Sequence, residues 1–210
     1  MNPTFSIKET FLKSWEVVKA NIWVLAGLFI GFNIITFTLG ILAGNSITLS
    51  IIINIIVLIL GSIFSLGYFR NIFQALDGEE PQFSAYGQES RKVLKYILAS
   101  IIYSIIATIG TLLFIIPGIY LGIRLQFYAA YIVDEDCGAI ESLQRSWEIT
   151  KNQGMPLFLL LLAMIGIMIV GFILLIVGIF VAYPLCFTMY LVVYRALNVP
   201  NQPKEIEETF

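Results

Sequence analysis

The chain has 210 residues, 59% hydrophobic and only 12% charged, with a net charge of −2 and a mean hydropathy of +0.90. A soluble domain averages about 45–50% apolar and about 25% charged residues, so this composition excludes an ordinary water-soluble core and suits a bilayer as solvent. It also excludes a basic nucleic-acid surface. Histidine is absent, and Cys137, in a polar loop, lies far from Cys186, in an apolar stretch, which argues against a disulfide framework or a thiolate metal site.

Residues 1–19 are amphipathic and lack an early apolar core, so no cleavable signal peptide is expected. Ser6 and Glu9 have capping-box spacing, Ile7, Phe11, Trp15 and Val18 recur at helical spacing, and Glu9 and Lys13 form an i,i+4 pair on the other face. No Asp, Glu, Lys or Arg occurs from Ala20 to Phe69, which is room for two crossings of about 20 residues each. The first hairpin is predicted over Ile22–Leu42, a turn at Ala43-Gly44-Asn45-Ser46, and Ile47–Phe69. A second uncharged run, Tyr96 to Ile123, predicts a helix over Tyr96–Phe114, a turn near Ile116-Pro117-Gly118, and a return to Val133. Asp136 then suits a helix cap before an amphipathic segment with Ile140, Leu143 and Trp147 on one face and Glu141, Arg145 and Glu148 on the other. The last uncharged run, Asn152 to Tyr194, holds a hairpin from near Leu157 to about Leu197, with its turn expected at Gly178 and Tyr183-Pro184 as the rival.

These stretches predict helices rather than a barrel, because a run such as Ile51 to Leu60 does not alternate apolar and polar residues. The expected architecture is all-α: a polytopic membrane bundle of six transmembrane helices as three hairpins, each preceded by an amphipathic interfacial helix. It forms a single integral membrane domain over 1–210, with units 1–76, 77–135 and 136–200 and a cytoplasmic tail, 201–210. Ser14-Trp15-Glu16-Val17-Val18-Lys19 nearly repeats as Ser146-Trp147-Glu148-Ile149-Thr150-Lys151, and the outer hairpins end alike, at Phe69-Arg70 and Tyr194-Arg195. A unit of interfacial helix plus hairpin explains both, with Phe83, Arg91, Lys92 and Lys95 marking a diverged middle copy.

The three hairpin tips carry no Lys or Arg, and apart from Arg124 these residues cluster at the other end of the hairpins, from Lys8 through Arg70, Arg145 and Arg195 to Lys204. The positive-inside rule then puts both termini and both long loops in the cytoplasm. Trp15 and Trp147 are the expected interfacial anchors.

Arg124 falls near the middle of the expected fourth span, where an Arg costs at least ~2.5 kcal/mol, and no carboxylate in the other spans can pair with it. Its candidate partners are carbonyls, Tyr hydroxyls such as those of Tyr120 and Tyr128, Asn33 or Asn54, a lipid phosphate, or an anionic substrate; the structural alternative is a snorkelling or capping side chain. Asp134-Glu135-Asp136 could attract a divalent cation, but consecutive carboxylates converge poorly, and a solvated loop is the simpler reading. Gly27/Gly31, Gly40/Gly44 and Gly118/Gly122 have the four-residue spacing that lets helices approach, within the chain or in a dimer. Asn33, Asn54, Ser62, Ser65, Ser104, Thr108 and Gln126 are uncharged polar membrane positions able to bond across helices. There is no nucleophile with a base, no phosphate-binding loop, no metal-ligand spacing and no cofactor signature, which counts against an enzyme.

The stretch Ile116-Pro117-Gly118-Ile119-Tyr120-Leu121-Gly122-Ile123-Arg124, followed by Ile132-Val133-Asp134-Glu135-Asp136 and Ala139 to Lys151, resembles the YciC-like uncharacterised bacterial inner-membrane proteins. It is also similar to the membrane domain attached to some glycerophosphoryl diester phosphodiesterases. The resemblance implies a multi-pass domain of a bacterial inner membrane and, through the phosphodiesterase link, lipid head groups. The expected function is a non-catalytic module contacting membrane lipids or a partner protein, including a second copy. The alternative is a transporter or permease subunit with a polar midplane cavity reaching Arg124 and an interrupted helix at Pro184.

Overall fold

The computed structural model describes residues 5–44 and 46–198, without the side chains of residues 175–177. Asn45, Lys204 and the tail 201–210 lie outside the described residues. Those described are all-helical: α1 (Ile7–Ala43), α2 (Ile47–Leu76), α3 (Ser84–Glu89), α4 (Val93–Leu113), α5 (Ile115–Leu125), α6 (Tyr128–Glu135), α7 (Ala139–Ile149), α8 (Gly154–Ile173) and α9 (Leu175–Leu197), with a 3-10 turn at Ser90–Lys92 joining α3 to α4. Among them are six helices long and apolar enough to cross a membrane, counting α3 to α4 and α5 to α6 as one each.

Neighbouring long helices pack together: α1 on α2, α4 on α5, α8 on α9, with α1 also along α9. The buried core sits where the C-terminal parts of α2, α6 and α9 converge. Phe127 meets Tyr190 at 4.9 Å between ring centroids, Tyr131 meets Tyr194 at 5.0 Å, and Phe73 meets Tyr194 at 5.9 Å. Elsewhere the helices are apolar on the outside: Phe37 is 71% exposed, Leu112 81% and Phe172 74%. Water would penalise that surface by about 25 cal/mol per Å².

The turns fall at the residues that can leave the helix. Gly44 (φ 52°) ends α1, and Ser46 caps α2 by accepting from the Leu49 N–H. The second turn is the single extended residue Phe114, so Pro117 and Gly118 belong to the first turns of α5 rather than to the connection. The third turn is at Leu174, which corrects both expected positions: Gly178 lies inside α9, and α9 runs unbroken through Pro184. Gly178 is glycine because α8 comes so close that a Cβ there would strike the Gly171 carbonyl.

The amphipathic segments bury small hydroxyl residues along with part of their apolar stripes. On the first part of α1, Thr10, Ser14 and Val18 are buried while Trp15 is 40% exposed. On α7, Ser142, Leu143, Ser146 and the following Thr150 are buried, while Ile140 is 63% and Trp147 38% exposed. Small hydroxyl residues let these segments sit close to the helices behind them, with Trp15, Ile140 and Trp147 left partly outside. Ser6 occupies the α1 N-cap without a side-chain bond, and Glu9 and Lys13 form no ion pair. Asp136 does not cap α7: it ends α6 in a left-handed conformation (φ 55°), and Gly138 is the α7 N-cap, its N–H donating to Glu141.

Each segment breaks at a matching residue. Asn21, seven after Ser14, has φ −115°, ψ 18°; Gln153, seven after Ser146, has φ −108°, ψ 12°. Lys92 (φ −92°, ψ 0°) stands seven after Ala85, which is buried as Ser14 and Ser146 are. The residue after each buried one is aromatic and leans on a helix distant in sequence. Trp15 shares a groove with Gly178 and Ala182, the Tyr86 ring fills the space a Gly67 side chain would take, and Trp147 covers Arg124.

Candidate functional site

The fourth membrane-length segment is not continuous. Gln126 and Phe127 separate α5 from α6, which frees backbone groups that must be satisfied away from water. Side chains from α7 and α9 do this. Ser146 Oγ accepts from the Phe127 N–H at 2.9 Å and donates to the Arg124 carbonyl at 3.0 Å. Thr150 Oγ1 lies 3.0 Å from the same carbonyl, and the Tyr190 hydroxyl donates to the Gln126 carbonyl at 2.5 Å. Ser146 on α7 and Thr150 at its C-cap, one turn apart, therefore hold the break together.

Arg124 is the last but one residue of α5 and is 5% exposed. Its guanidinium carbon lies 4.2 Å from the centroid of Trp147 and 5.8 Å from that of Tyr120, and the two rings meet edge-on at 6.1 Å. A cation over a desolvated indole gains up to about 2 kcal/mol. Nothing else neutralises it: no carboxylate of the described residues is within ion-pair distance, and Nε is buried without a hydrogen bond. Arg124 is the tenth of the 21 residues of the candidate span Ile115–Glu135, yet its cluster reaches the start of α8. Gly154, the first residue of α8, lies beside Tyr120, its would-be Cβ 4.0 Å from the ring. That puts the cluster level with the start of a 20-residue apolar helix, just past Lys151 and Asn152.

The other expected ligand residues are elsewhere. Asn54 is exposed on α2 and its amide donates to its own helix at the Ser50 carbonyl (2.8 Å). Tyr128 begins α6, its hydroxyl 3.0 Å from Ser100 Oγ, and lines a separate cavity. Of the paired glycines only Gly118 makes the expected close approach, where a Cβ would strike Thr111. Gly122 has ordinary room, and Gly27, Gly31, Gly40 and Gly44 face open space. The close approaches at Gly67, Gly110, Gly171 and Gly178 follow no four-residue spacing and were not legible.

The acidic run splits three ways instead of converging on a cation. Asp134 accepts from the Tyr194 hydroxyl at 3.1 Å, Glu135 takes Arg145 and the Asn198 amide, and Asp136 takes Lys95 at 3.0 Å. The Lys95 hydrogen bond holds the Asp136 carboxyl below its ordinary value, the Gly138 N–H does the same for Glu141, and burial pushes the Cys137 thiol up to about 11. No group of three or more metal-ligating side chains occurs among the described residues. The hydroxyls of Ser146, Thr150 and Tyr190, which shape the site, were missed. Their only sequence signal is the one-turn spacing of Ser142, Ser146 and Thr150.

A family model described as Domain of unknown function (DUF7847) matches residues 51–202, which takes in α7, Arg124 and nearly all of α2 to α9. Comparison with curated proteins and with solved structures gave no match.

Proposed function

We propose, for a chain that belongs to the DUF7847 family, a non-catalytic integral membrane module whose cytoplasmic face holds an anionic phospholipid at Arg124. In this reading the six long helices cross the bilayer as three hairpins, each entered through an amphipathic segment lying in the interface, with both termini in the cytoplasm. The exposed apolar side chains toward the short turns, such as Phe37, Leu112 and Phe172, and the outward Trp15 and Trp147 support it.

One observation carries the lipid assignment: a guanidinium 5% exposed with no anion among the described residues. Burying an unpaired charge costs several kcal/mol, and a phosphate diester offers the planar pair of acceptors that a guanidinium fits. The Tyr120 ring of the same cluster lies beside the first residue of α8, which favours the head-group layer over a midplane transport site. The resemblance to membrane domains joined to phosphodiesterases of glycerophospholipids points to the same chemistry.

The test is native mass spectrometry of the detergent-purified protein with phosphatidylglycerol and phosphatidylethanolamine. Wild type is expected to retain phosphatidylglycerol preferentially, Arg124→Ala to lose about tenfold or more in affinity, and Arg124→Lys to recover part of it. Equal retention by wild type and Arg124→Ala would remove the assignment. Failure of the protein to require detergent would remove the membrane reading beneath it.

A further inference from the structure

We propose that the cleft between α1, α2 and α4 is a second lipid site, one that takes an uncharged amphiphile: long apolar chains carrying a neutral hydroxyl head. The inference rests on the membrane reading above but not on Arg124, which is not among the cleft's lining residues. The cleft measures about 760 Å³, within the range of small-molecule sites.

Its rim is apolar and open. Leu58, Ile101 and Ile105 line it and are 57%, 50% and 53% exposed, so the mouth faces hydrocarbon. Its polar lining carries no charge: Ser65, Tyr103, Tyr128 and Tyr183 are half-buried, Asn33 and Ser104 are exposed, and none of the lining residues is Asp, Glu, Lys or Arg.

The hydroxyls decide what the site can hold. A Ser or Thr on a membrane helix ordinarily turns back to the carbonyl one turn earlier. Ser62 does so at 2.8 Å, Ser100 at 2.7 Å, Thr111 at 2.8 Å and Thr188 at 2.8 Å. Ser65 and Ser104 do not, and neither they nor the Tyr103 and Tyr183 hydroxyls have a hydrogen bond among the described residues. Four unsatisfied hydroxyls on one cavity in an apolar surround are costly unless something there bonds them. Behind them a smaller cavity of about 270 Å³ shares Ser65, Tyr96, Tyr103 and Tyr128 with the cleft, and holds Gln126, whose amide nitrogen is buried without a partner. A charged head group would enter without a counter-ion, so the donors and acceptors select a neutral one.

The experiment measures binding of fluorescent diacylglycerol, and of a fluorescent long-chain isoprenoid alcohol, to the purified protein in nanodiscs. The two probes distinguish the two sources of this head group. Saturable binding of at least one is expected. Ser65→Leu, which fills the cleft, should abolish it. The double variant Tyr103→Phe, Ser104→Ala should weaken it about tenfold, as losing two hydrogen bonds in an apolar site implies. Gly61→Leu supplies a second filled cleft if Ser65→Leu misfolds, because a Cβ there meets only the Phe32 ring at an ordinary 3.8 Å. Arg124→Ala should leave neutral-lipid binding unchanged, so failure of the first site and failure of this one are separable. Absence of saturable binding by both probes, wild-type binding in the filled variants, or competition by phosphatidylglycerol at equal strength would overturn the proposal.

Discussion

Ser14-Trp15 and Ser146-Trp147 are nearly the same sequence in two different settings. Both serines are 0% exposed, and both tryptophans are partly outside. Ser146 joins the two ends of a broken helix, whereas Ser14 Oγ is buried with no partner. Trp147 covers a cation; Trp15 lines an apolar groove with Gly178, Ala182 and Leu185. The difference lies in the helix each segment leans on. α9 is continuous and offers small residues, so the first copy needs only to fit. The α5 to α6 segment is interrupted, so the third copy also supplies hydrogen bonds. The two contacts therefore share a frame, and the chemistry has been added where one helix breaks.

The comparison breaks most decisively at the serines. Ser146→Val with Thr150→Val should leave the Arg124 carbonyl and Phe127 N–H unpaired, at roughly 1–3 kcal/mol for each group, and lower the thermal midpoint measured in detergent. Ser14→Ala removes an atom that bonds nothing and should stay within about 0.5 kcal/mol of wild type. Equal losses at the two sites would mean that the copies do the same work.

Glycines sharpen it next. Gly178→Ala and Gly67→Ala place a Cβ against the Gly171 carbonyl and the Tyr86 ring, and should cost ~1–3 kcal/mol each. Gly27→Ala and Gly31→Ala enter open space and should be neutral or gain up to about 1 kcal/mol from helix propensity. Thermal unfolding of the four variants gives the ranking.

The smallest effect is electrostatic. Asp136 is held below its ordinary value of 3.8 by Lys95, so its contribution is fully present above that pH and is lost as the pH falls through the lowered value. Lys95→Met should flatten that part of an acid stability profile, while Lys13→Met, in the first copy, should leave it unchanged.

Much of the frame was legible in sequence because it depends on composition. Uncharged runs gave the six long helices, and Gly44 and Ser46 gave the first turn, since a left-handed residue and an N-cap have their own chemistry. The Leu174 and Phe114 turns were not legible, because ordinary apolar residues form them. At the site, Arg124 stood out as the one stray charge, and Trp147 was noted for a different reason, its place in the repeat. Their stacking was hidden because it depends on the break at Gln126-Phe127, and that break depends on hydroxyls 19 or more residues away. The glycine pattern misled because spacing reports the possibility of close approach and not whether a neighbour is there.

The most direct test of the central claim is carbon–phosphorus dipolar recoupling on the protein in phosphatidylglycerol bilayers, with arginine Cζ labelled and the Arg124 signal assigned by comparison with Arg124→Lys. A guanidinium hydrogen-bonded to a lipid phosphate requires strong dephasing of that one carbon by lipid phosphorus. An Arg124 signal that survives undiminished by phosphorus in a fully lipidated sample would contradict the account.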